Sequence, residues 1–560
     1  MKHQWIERGE SALIILFLLS FVGLQALGMA LKTPLGAPPD ERAHLSYIND
    51  VMQPGVWVPD YRAGEIYGMN DNLNYLKHPA LYYSVLGLVG QTAALDVYQD
   101  FRVFRLINIG IVLVGLAFFI GFCRRMDIGW FTTSVLTLSV TVVPMFGYIA
   151  GSVNNDNLAY AAVAMFFFGL AKSVSSPLPA FGWMAFGFVV AALTKVTAAA
   201  FLSFFLLIYL LREWRRLSVF FSQPRFWVSA TSAIGIVAGY YLFVRWQYGS
   251  FLPSARYLYT LVSPDHLLSF SEYFEEFMKK MIGRGAEVMG HISFAPLRWP
   301  ANLFYAGMFL LPLSLWLVLR VVSHWRISDP IRLRLADSLI LAFLAVLALH
   351  ISIGYEAYSN TGALGGMQPR YYLYLIPFIL TPAFFLLRRA QFQMLFAVPL
   401  AGLVMVSFWG SVPFAHERQY IEIQSRHSPL IFQSELDTVP VRLRLDLLGE
   451  PKGNVDEFWI REDTVFARGW AFNYSNGQPV NRVLLVLGDT IIGSKAVNVT
   501  RPDVARVMAS RAAVQAGFAF FTYGLPSATS LCELSLLIEF NDGSHGVLQA
   551  GECSPWRVIQ

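Results

Sequence analysis

The chain has 560 residues, 55% of them hydrophobic and only 14% charged, with a mean hydropathy of +0.49. Soluble globular proteins carry roughly 25% charged residues, so a wholly soluble chain is excluded and a polytopic membrane protein with some soluble part is expected. The formal net charge of +5 is spread among loops rather than gathered in a basic stripe, which argues against a nucleic-acid partner.

The first apolar run, inside "MKHQWIERGESALIILFLLSFVGLQALGMAL", is long for a signal-peptide core, and no small-x-small site precedes the prolines that follow. It is read as an uncleaved spanning helix. Runs of about 18–20 apolar residues cross a bilayer. By that rule about eleven spans are expected, near 12–31, 103–122, 129–149, 158–172, 179–195, 197–211, 226–246, 304–320, 336–354, 371–387 and 391–411. The stretch 80–95 is apolar but short, and suits an interfacial or re-entrant segment. With the N-terminus inside, the short inner loops carry Arg124, Arg125, Lys172, Arg212, Arg215, Arg216 and further arginines, and the short outer ones little beyond Lys195 and Arg370. Because Lys and Arg in short loops set orientation, this asymmetry places loops 32–102 and 247–303 and everything after 412 on the outer side.

In the second outer loop, "FSEYFEEFMKKMIG" puts Phe270, Phe274, Phe277, Met278 and Met281 on one helical face and Glu275/Lys279 and Glu276/Lys280 as i,i+4 pairs on the other. Such a helix lies on the membrane surface or packs on the domain beside it. Residues 412–454 read as a connector. From 455 to 560 the pattern changes to short strands with Gly488-Asp489 and Asn541-Asp542-Gly543 as turn signals, which suggests a small all-β sandwich. Cys532 and Cys553 in this region can pair if it is extracytoplasmic, or remain two buried thiols.

Ionisable residues at the membrane edge are functional candidates because desolvation makes them costly. They gather on one side here. "TPLGAPPDERAHLSYI" sets Asp40, Glu41 and His44 after the first span, with prolines that stiffen the approach. "NLNYLKHPALYY" adds Lys77 and His78, "GSVNNDNLAY" adds Asn155 and Asp156, and Lys195, Arg256, Arg370 and Tyr371 follow. A carboxylate can act as general base on a sugar hydroxyl or take a divalent cation through oxygen. Lys and Arg can hold a phosphate and stabilise its charge as it leaves. Structural readings stand beside these: Asp40 or Asp156 as a helix cap, Glu41 paired to Arg42, satisfied interfacial histidines, Lys195 snorkelling, and Arg370 as an anchor. A packed, hydrogen-bonded histidine is expected at His350.

The ordered set "PPDERAH", "KHPALYY", "SVNNDNLAY", "LTKVTA" and "QPRYYLYLIP" resembles the GT-C superfamily of polytopic glycosyltransferases, and more closely an uncharacterised bacterial family of integral membrane proteins assigned to it. The resemblance covers residues 10–410, with Ala80 where a second proline usually follows His-Pro. It implies a domain 1–411 that is mostly α, a transmembrane bundle in the bacterial inner membrane. The implied activity moves a hexosyl or pentosyl group from a polyprenyl-phosphate or -diphosphate donor to a cell-envelope glycan, lipid or protein on the outer face. By the motif match, Asp40 and Glu41 take the catalytic role; Lys195, Arg370 and Arg256 hold donor phosphate; and His44, His78, Asn155, Asp156 and Tyr371 contact substrate. A divalent metal (Mg or Mn) on Asp40, Glu41 and His44 is the optional cofactor. The tail, with "GWAFNYSNGQPVNRVLLVLGD", looks like β-sandwich modules of bacterial cell-surface proteins, with Trp470 and Phe472 as core or, together with Tyr474, as a stacking platform. The rival functions are a lipid-linked glycan flippase, which needs polar residues along a path through the bilayer, and a non-catalytic envelope scaffold.

Overall fold

A computed structural model describes residues 2–33, 40–53, 55–59, 61, 78–97, 99–173, 177–253, 267–283, 313–321, 330–361, 369–387 and 390–410, and beyond these 439–440, 451–461, 464–473, 480, 482–487, 490–497, 501, 504, 516–522, 533–539 and 545–548. The helices are α1 (Lys2–Lys32), α2 (Glu41–Val51), α3 (Leu81–Ala93), α4 (Phe101–Arg125), α5 (Trp130–Thr141), α6 (Pro144–Ala150), α7 (Asp156–Ser173), α8 (Pro177–Ala192), α9 (Val196–Phe221), α10 (Pro224–Tyr248), α11 (Phe270–Gly283), α12 (Pro330–Thr361), α13 (Ile376–Leu380), α14 (Pro382–Leu386) and α15 (Ala390–Gly410), with a 3₁₀ turn at Pro369–Tyr372.

Five of the described helices are long and apolar enough to cross a bilayer: Gly9–Leu31, Phe101–Arg125, Val196–Trp214, Pro224–Tyr248 and Ile331–Ser359. Two expected spans are broken instead. The stretch 129–149 divides into α5 and α6, because Pro144 has no N–H to continue α5 and opens a new helix after the extended Val143. The stretch 371–387 becomes the 3₁₀ turn plus α13 and α14, each with a proline in its first turn. Of the expected span 304–320 only the residues from 313 onward are described, and they are helical to 321.

α7 is the centre of the bundle, packed between α4 and α8, with α1 on α4, α10 on α8, α9 on α12 and α15 on α5. In a membrane, close backbone approach replaces hydrophobic drive between helices, and small residues permit it. A Cβ on Gly115 of α4 would meet Ala161 Cα at 2.8 Å, and one on Gly187 of α8 would meet Phe166 N at 2.7 Å. Phe119, Phe122, Phe167 and Phe378 interlock across these helices.

α11 packs Tyr273 and Phe277 against Ile351 and Tyr358 of α12, while Phe270 and Phe274 stay exposed. The helix therefore docks on α12 and still presents Phe270 and Phe274 outward. Lys279 pairs with Glu275 at 2.7 Å and Glu276 at 3.2 Å.

The C-terminal region holds β1 (Val439–Pro440), β2 (Pro451–Arg461), β3 (Thr464–Asn473), β4 (Arg482–Leu487), β5 (Thr490–Ala496), β6 (Gly517–Thr522), β7 (Leu534–Glu539) and β8 (His545–Leu548). They form two antiparallel sheets, ordered β1-β5-β4-β7-β8 and β2-β3-β6. Alternating apolar positions, such as Val465 and Ala467 of β3 with Val483 and Leu485 of β4 and Leu536 and Ile538 of β7, meet in one core shared by the two sheets. The expected turns fall between paired strands: Leu487 faces Thr490 and Glu539 faces His545. Phe472 is buried and Trp470 packs beside it, which makes both of them core. Tyr474, Cys532 and Cys553 lie outside the described residues.

Candidate functional site

Asp40 sits at the N-cap position of α2 with φ 61° and ψ 5°, in the left-handed region, and its side chain makes no capping bond. A non-glycine residue held there is strained, and such strain concentrates at functional positions. The carboxylate instead meets Arg370, 330 residues away, whose Nη2 donates to Oδ2 at 2.8 Å. Both side chains are largely enclosed, 17% exposed for Asp40 and 7% for Arg370.

A second pair lies close by. Asp156 opens α7 and Lys195 immediately precedes α9; Lys195 Nζ donates to Asp156 Oδ1, with both side chains buried. Lys195 lies over the rings of Tyr371 and Tyr374, at 5.9 and 5.4 Å from their centroids, and Arg370 over Tyr371 at 5.6 Å. Tyr374 OH bonds Thr197 Oγ1 at 2.5 Å. The expected grouping of Asp40, Asp156, Lys195, Arg370 and Tyr371 is thus present in space.

The two histidines of the first loop complete the group. His44, on the inward face of α2, shares a hydrogen bond between Nδ1 and Tyr83 OH at 2.9 Å and stacks on His78, with centroids 6.0 Å apart. Burial first, then the charges of Lys195 and Arg370, hold the His44 imidazole well below its ordinary 6.5. Burial, Lys195 and His44 do the same to His78, with Asp40 opposing. Tyr61 OH donates to His78 O at 2.8 Å, and Tyr240 of α10 accepts from Ala80 N at 2.9 Å, which ties this loop to the bundle.

Glu41 departs from its expected role. It is fully buried, and both oxygens are engaged by Arg105 of α4, Nε to Oε1 at 2.8 Å and Nη2 to Oε2 at 2.6 Å. Oε1 also accepts from Val153 N at 3.0 Å, and Arg105 Nη1 donates to Ala30 O and Thr33 O. The neighbouring carboxylates therefore point to different partners, and Glu41 binds α1, α2, α4 and the 151–155 turn together. Among the described side chains its ion-pair partner is Arg105. A metal on Asp40, Glu41 and His44 does not fit this arrangement, because Glu41 is committed to Arg105 and His44 Nδ1 to Tyr83. Among the described residues no group of three or more His, Cys, Asp or Glu side chains converges on one point. Arg256 lies outside the described residues.

The "SVNNDN" motif is used residue by residue. Val153 N holds Glu41, Asn154 Oδ1 caps α7 by accepting from Asp156 N at 2.9 Å, and Asn155 Nδ2 donates to Thr194 O at 3.1 Å. Asn157 Nδ2 donates to Asn108 Oδ1 at 3.0 Å, and the same oxygen accepts from Tyr82 OH at 2.8 Å. Arg105 and Asn108 escaped the sequence reading, although polar residues in the apolar run "FRVFRLINIG" are themselves a signal. Glu41 opens α2, Leu81 opens α3, Asp156 opens α7 and Val196 opens α9, so four helices bring their N-terminal ends to this cluster, and Leu81 N is bonded to Leu193 O at 3.0 Å.

Fold and site together define a polytopic membrane protein with a partly enclosed acid–base cluster at one end of its helices. A family model described as "Predicted membrane protein (DUF2142)" matches residues 60–380, more than half of the chain, and the protein belongs to that family. No curated protein matches it. Among solved structures the chain is similar to ArnT from Cupriavidus metallidurans in the apo state, at 16% identity, and bound to undecaprenyl phosphate, at 17%. In both cases the match covers 71% of this chain and 78% of the other, with a TM-score of 0.33.

Proposed function

We propose that the protein is a GT-C-type glycosyltransferase of the bacterial inner membrane. It moves a sugar from a polyprenyl-phosphate or -diphosphate carrier to a glycan, lipid or protein of the cell envelope at the outer face. The observation that carries this reading is the juxtaposition of Asp40–Arg370 and Asp156–Lys195 where α2, α3, α7 and α9 begin. Helix N-termini present unpaired N–H groups and positive potential to an anion, and Lys195 and Arg370 add two full charges.

In this mechanism Asp40 takes the proton from the acceptor hydroxyl as that oxygen bonds to the anomeric carbon. The bond from the anomeric carbon to phosphate oxygen breaks, and its electron pair leaves on the phosphate, held by Lys195 and Arg370. The donor phosphate shares the Arg370 guanidinium with Asp40. Asp156 positions Lys195, and Glu41 positions Asp40 by fixing the start of α2. The polar groups lie at one end of the helices rather than along a path through them, which favours transfer over flipping.

The test is transfer by purified protein in nanodiscs from polyprenyl-phosphate hexoses, comparing the wild type with Asp40→Asn. Asn tolerates the left-handed backbone of residue 40, so the variant is expected to insert and fold but to transfer nothing. Full activity in that variant would overturn the assignment.

A further inference from the structure

Beside the Asp156–Lys195 pair are two buried polar atoms with no hydrogen-bond partner among the described residues. Asn155 reaches across to the turn before α9, where its Nδ2 donates to Thr194 O at 3.1 Å. That bond orients the amide, because the reverse orientation would set oxygen against oxygen. The other end, Asn155 Oδ1, has no hydrogen-bond partner among the described residues, and neither has Thr194 Oγ1. Asn155 is 1% exposed and Thr194 0%. Leaving such atoms unpaired in an enclosed place is costly, and the few cases that persist call for a cause. Valine would fill the volume of Thr194 without a hydroxyl to satisfy.

The two atoms differ in a useful way. Asn155 Oδ1 only accepts, whereas Thr194 Oγ1 both donates and accepts. Together they suit a ligand hydroxyl, which can donate to one and accept from the other. They do not suit a second anion, which Oδ1 would repel. Thr194 directly precedes Lys195, a proposed phosphate ligand, and Asn155 directly precedes Asp156, the ion-pair partner of Lys195.

We propose that Asn155 and Thr194 form a hydroxyl-reading subsite for a sugar ring carried next to the phosphate, an inference that rests on the glycosyl-transfer reading above. The source of the hydroxyl is the donor sugar, because Lys195 follows directly. A sugar on the acceptor would show the same chemistry, and the ligands used in the test separate the two.

Binding to the full chain in nanodiscs is measured with three kinds of probe: dodecyl phosphate, dodecyl phosphates carrying glucose, galactose or mannose, and the phosphate-free dodecyl glycosides. The wild type is expected to bind at least one hexosyl dodecyl phosphate more tightly than dodecyl phosphate. Thr194→Val is expected to weaken that probe by about five- to tenfold, the order of one neutral hydrogen bond, and to change dodecyl phosphate by less than about twofold. Thr194→Ser is expected to restore the preference. Because Oγ1 has no partner among the described residues, Thr194→Val should leave the ligand-free Tm unchanged or raised. A lowered Tm would make the hydroxyl a structural one and overturn the subsite. A Thr194-dependent preference for the phosphate-free glycosides would keep the subsite and assign it to the acceptor. No sugar-dependent difference with any probe would overturn the subsite and leave the phosphate pocket standing. Failure of the wild type to bind dodecyl phosphate would overturn the phosphate reading itself.

Discussion

Asp40 and Glu41 are adjacent in sequence and opposite in role, and the difference lies in what each carboxylate can reach. Asp40, held in the left-handed region, pairs with Arg370 and keeps 17% of its side chain exposed. Glu41 is enclosed with Arg105, both side chains 0% exposed. Removing one partner of such a pair leaves a charge buried without its counter-ion, at a cost of about 3–5 kcal/mol. Glu41→Gln and Arg105→Met are therefore each expected to lower the yield of monodisperse protein and its melting temperature, whereas Asp40→Asn leaves both near wild type. Size-exclusion profiles and thermal melts of the three variants check this. Equal stability of all three would deny the division of labour. The acid pair was legible from "PPDERAH", but which acid faces the site was not. That choice depends on a guanidinium 64 residues away for Glu41 and one 330 residues away for Asp40, and no local pattern encodes either separation.

At the scale of elements, the site is assembled by how helices begin. The expected spans caught most helix positions, since apolar length is written directly in the sequence. They missed the breaks at Pro144, Pro377 and Pro382, where proline ends one helix and opens another within a continuous apolar run. α3 was legible as the short apolar segment 80–95 and α2 only through Asp40 as a candidate helix cap, and their pairing, which seats His44 against Tyr83, was not. Their packing gives the fold a defined pH response. The His44 ring has its proton affinity lowered in the folded state by burial, then by Lys195 and Arg370. The unfolded chain, with His near 6.5, binds the proton that the folded chain refuses, so stability rises with pH there and is lost as pH falls below that value. The loss approaches about 1.4 kcal/mol per pH unit for this residue until the folded value is reached. Thermal melts in detergent are expected to show a falling Tm from pH 7 to pH 5, with a shallower fall in His44→Asn. A fall of equal slope in that variant would place the acid sensitivity elsewhere.

At the scale of the molecule, charge is gathered at two ends of the bundle, and the two ends differ in kind. The site end combines helix N-termini, the Asp40–Arg370, Asp156–Lys195 and Glu41–Arg105 ion pairs and two buried histidines. The other end is a lattice of structural ion pairs: Asp337 with Arg212 at 3.0 Å and Arg320 at 3.1 Å, Glu213 with Arg334 at 2.9 Å, and Arg332 with Asp127. There Gln393 of α15 also bonds the Asp127, Phe384 and Leu387 carbonyls and Gly129 N. The arginine bias of these loops was read from the sequence as an orientation signal, and their pairing into helix-to-helix contacts is what the sequence could not convey. If arginines mark the cytoplasmic end, the α2 loop faces outward. Asn49 on α2 and Ser222 between α9 and α10 are both exposed and stand on opposite ends by this reasoning. In a background with Cys532 and Cys553 replaced, the remaining Cys123 is buried. Asn49→Cys is then expected to react with a membrane-impermeant maleimide in spheroplasts. Ser222→Cys is expected to react only after the membrane is opened. Equal labelling of both in intact spheroplasts, or the reverse order, would put Asp40 and Arg370 on the wrong side for an acceptor in the envelope, and transfer at the outer face would have to be abandoned.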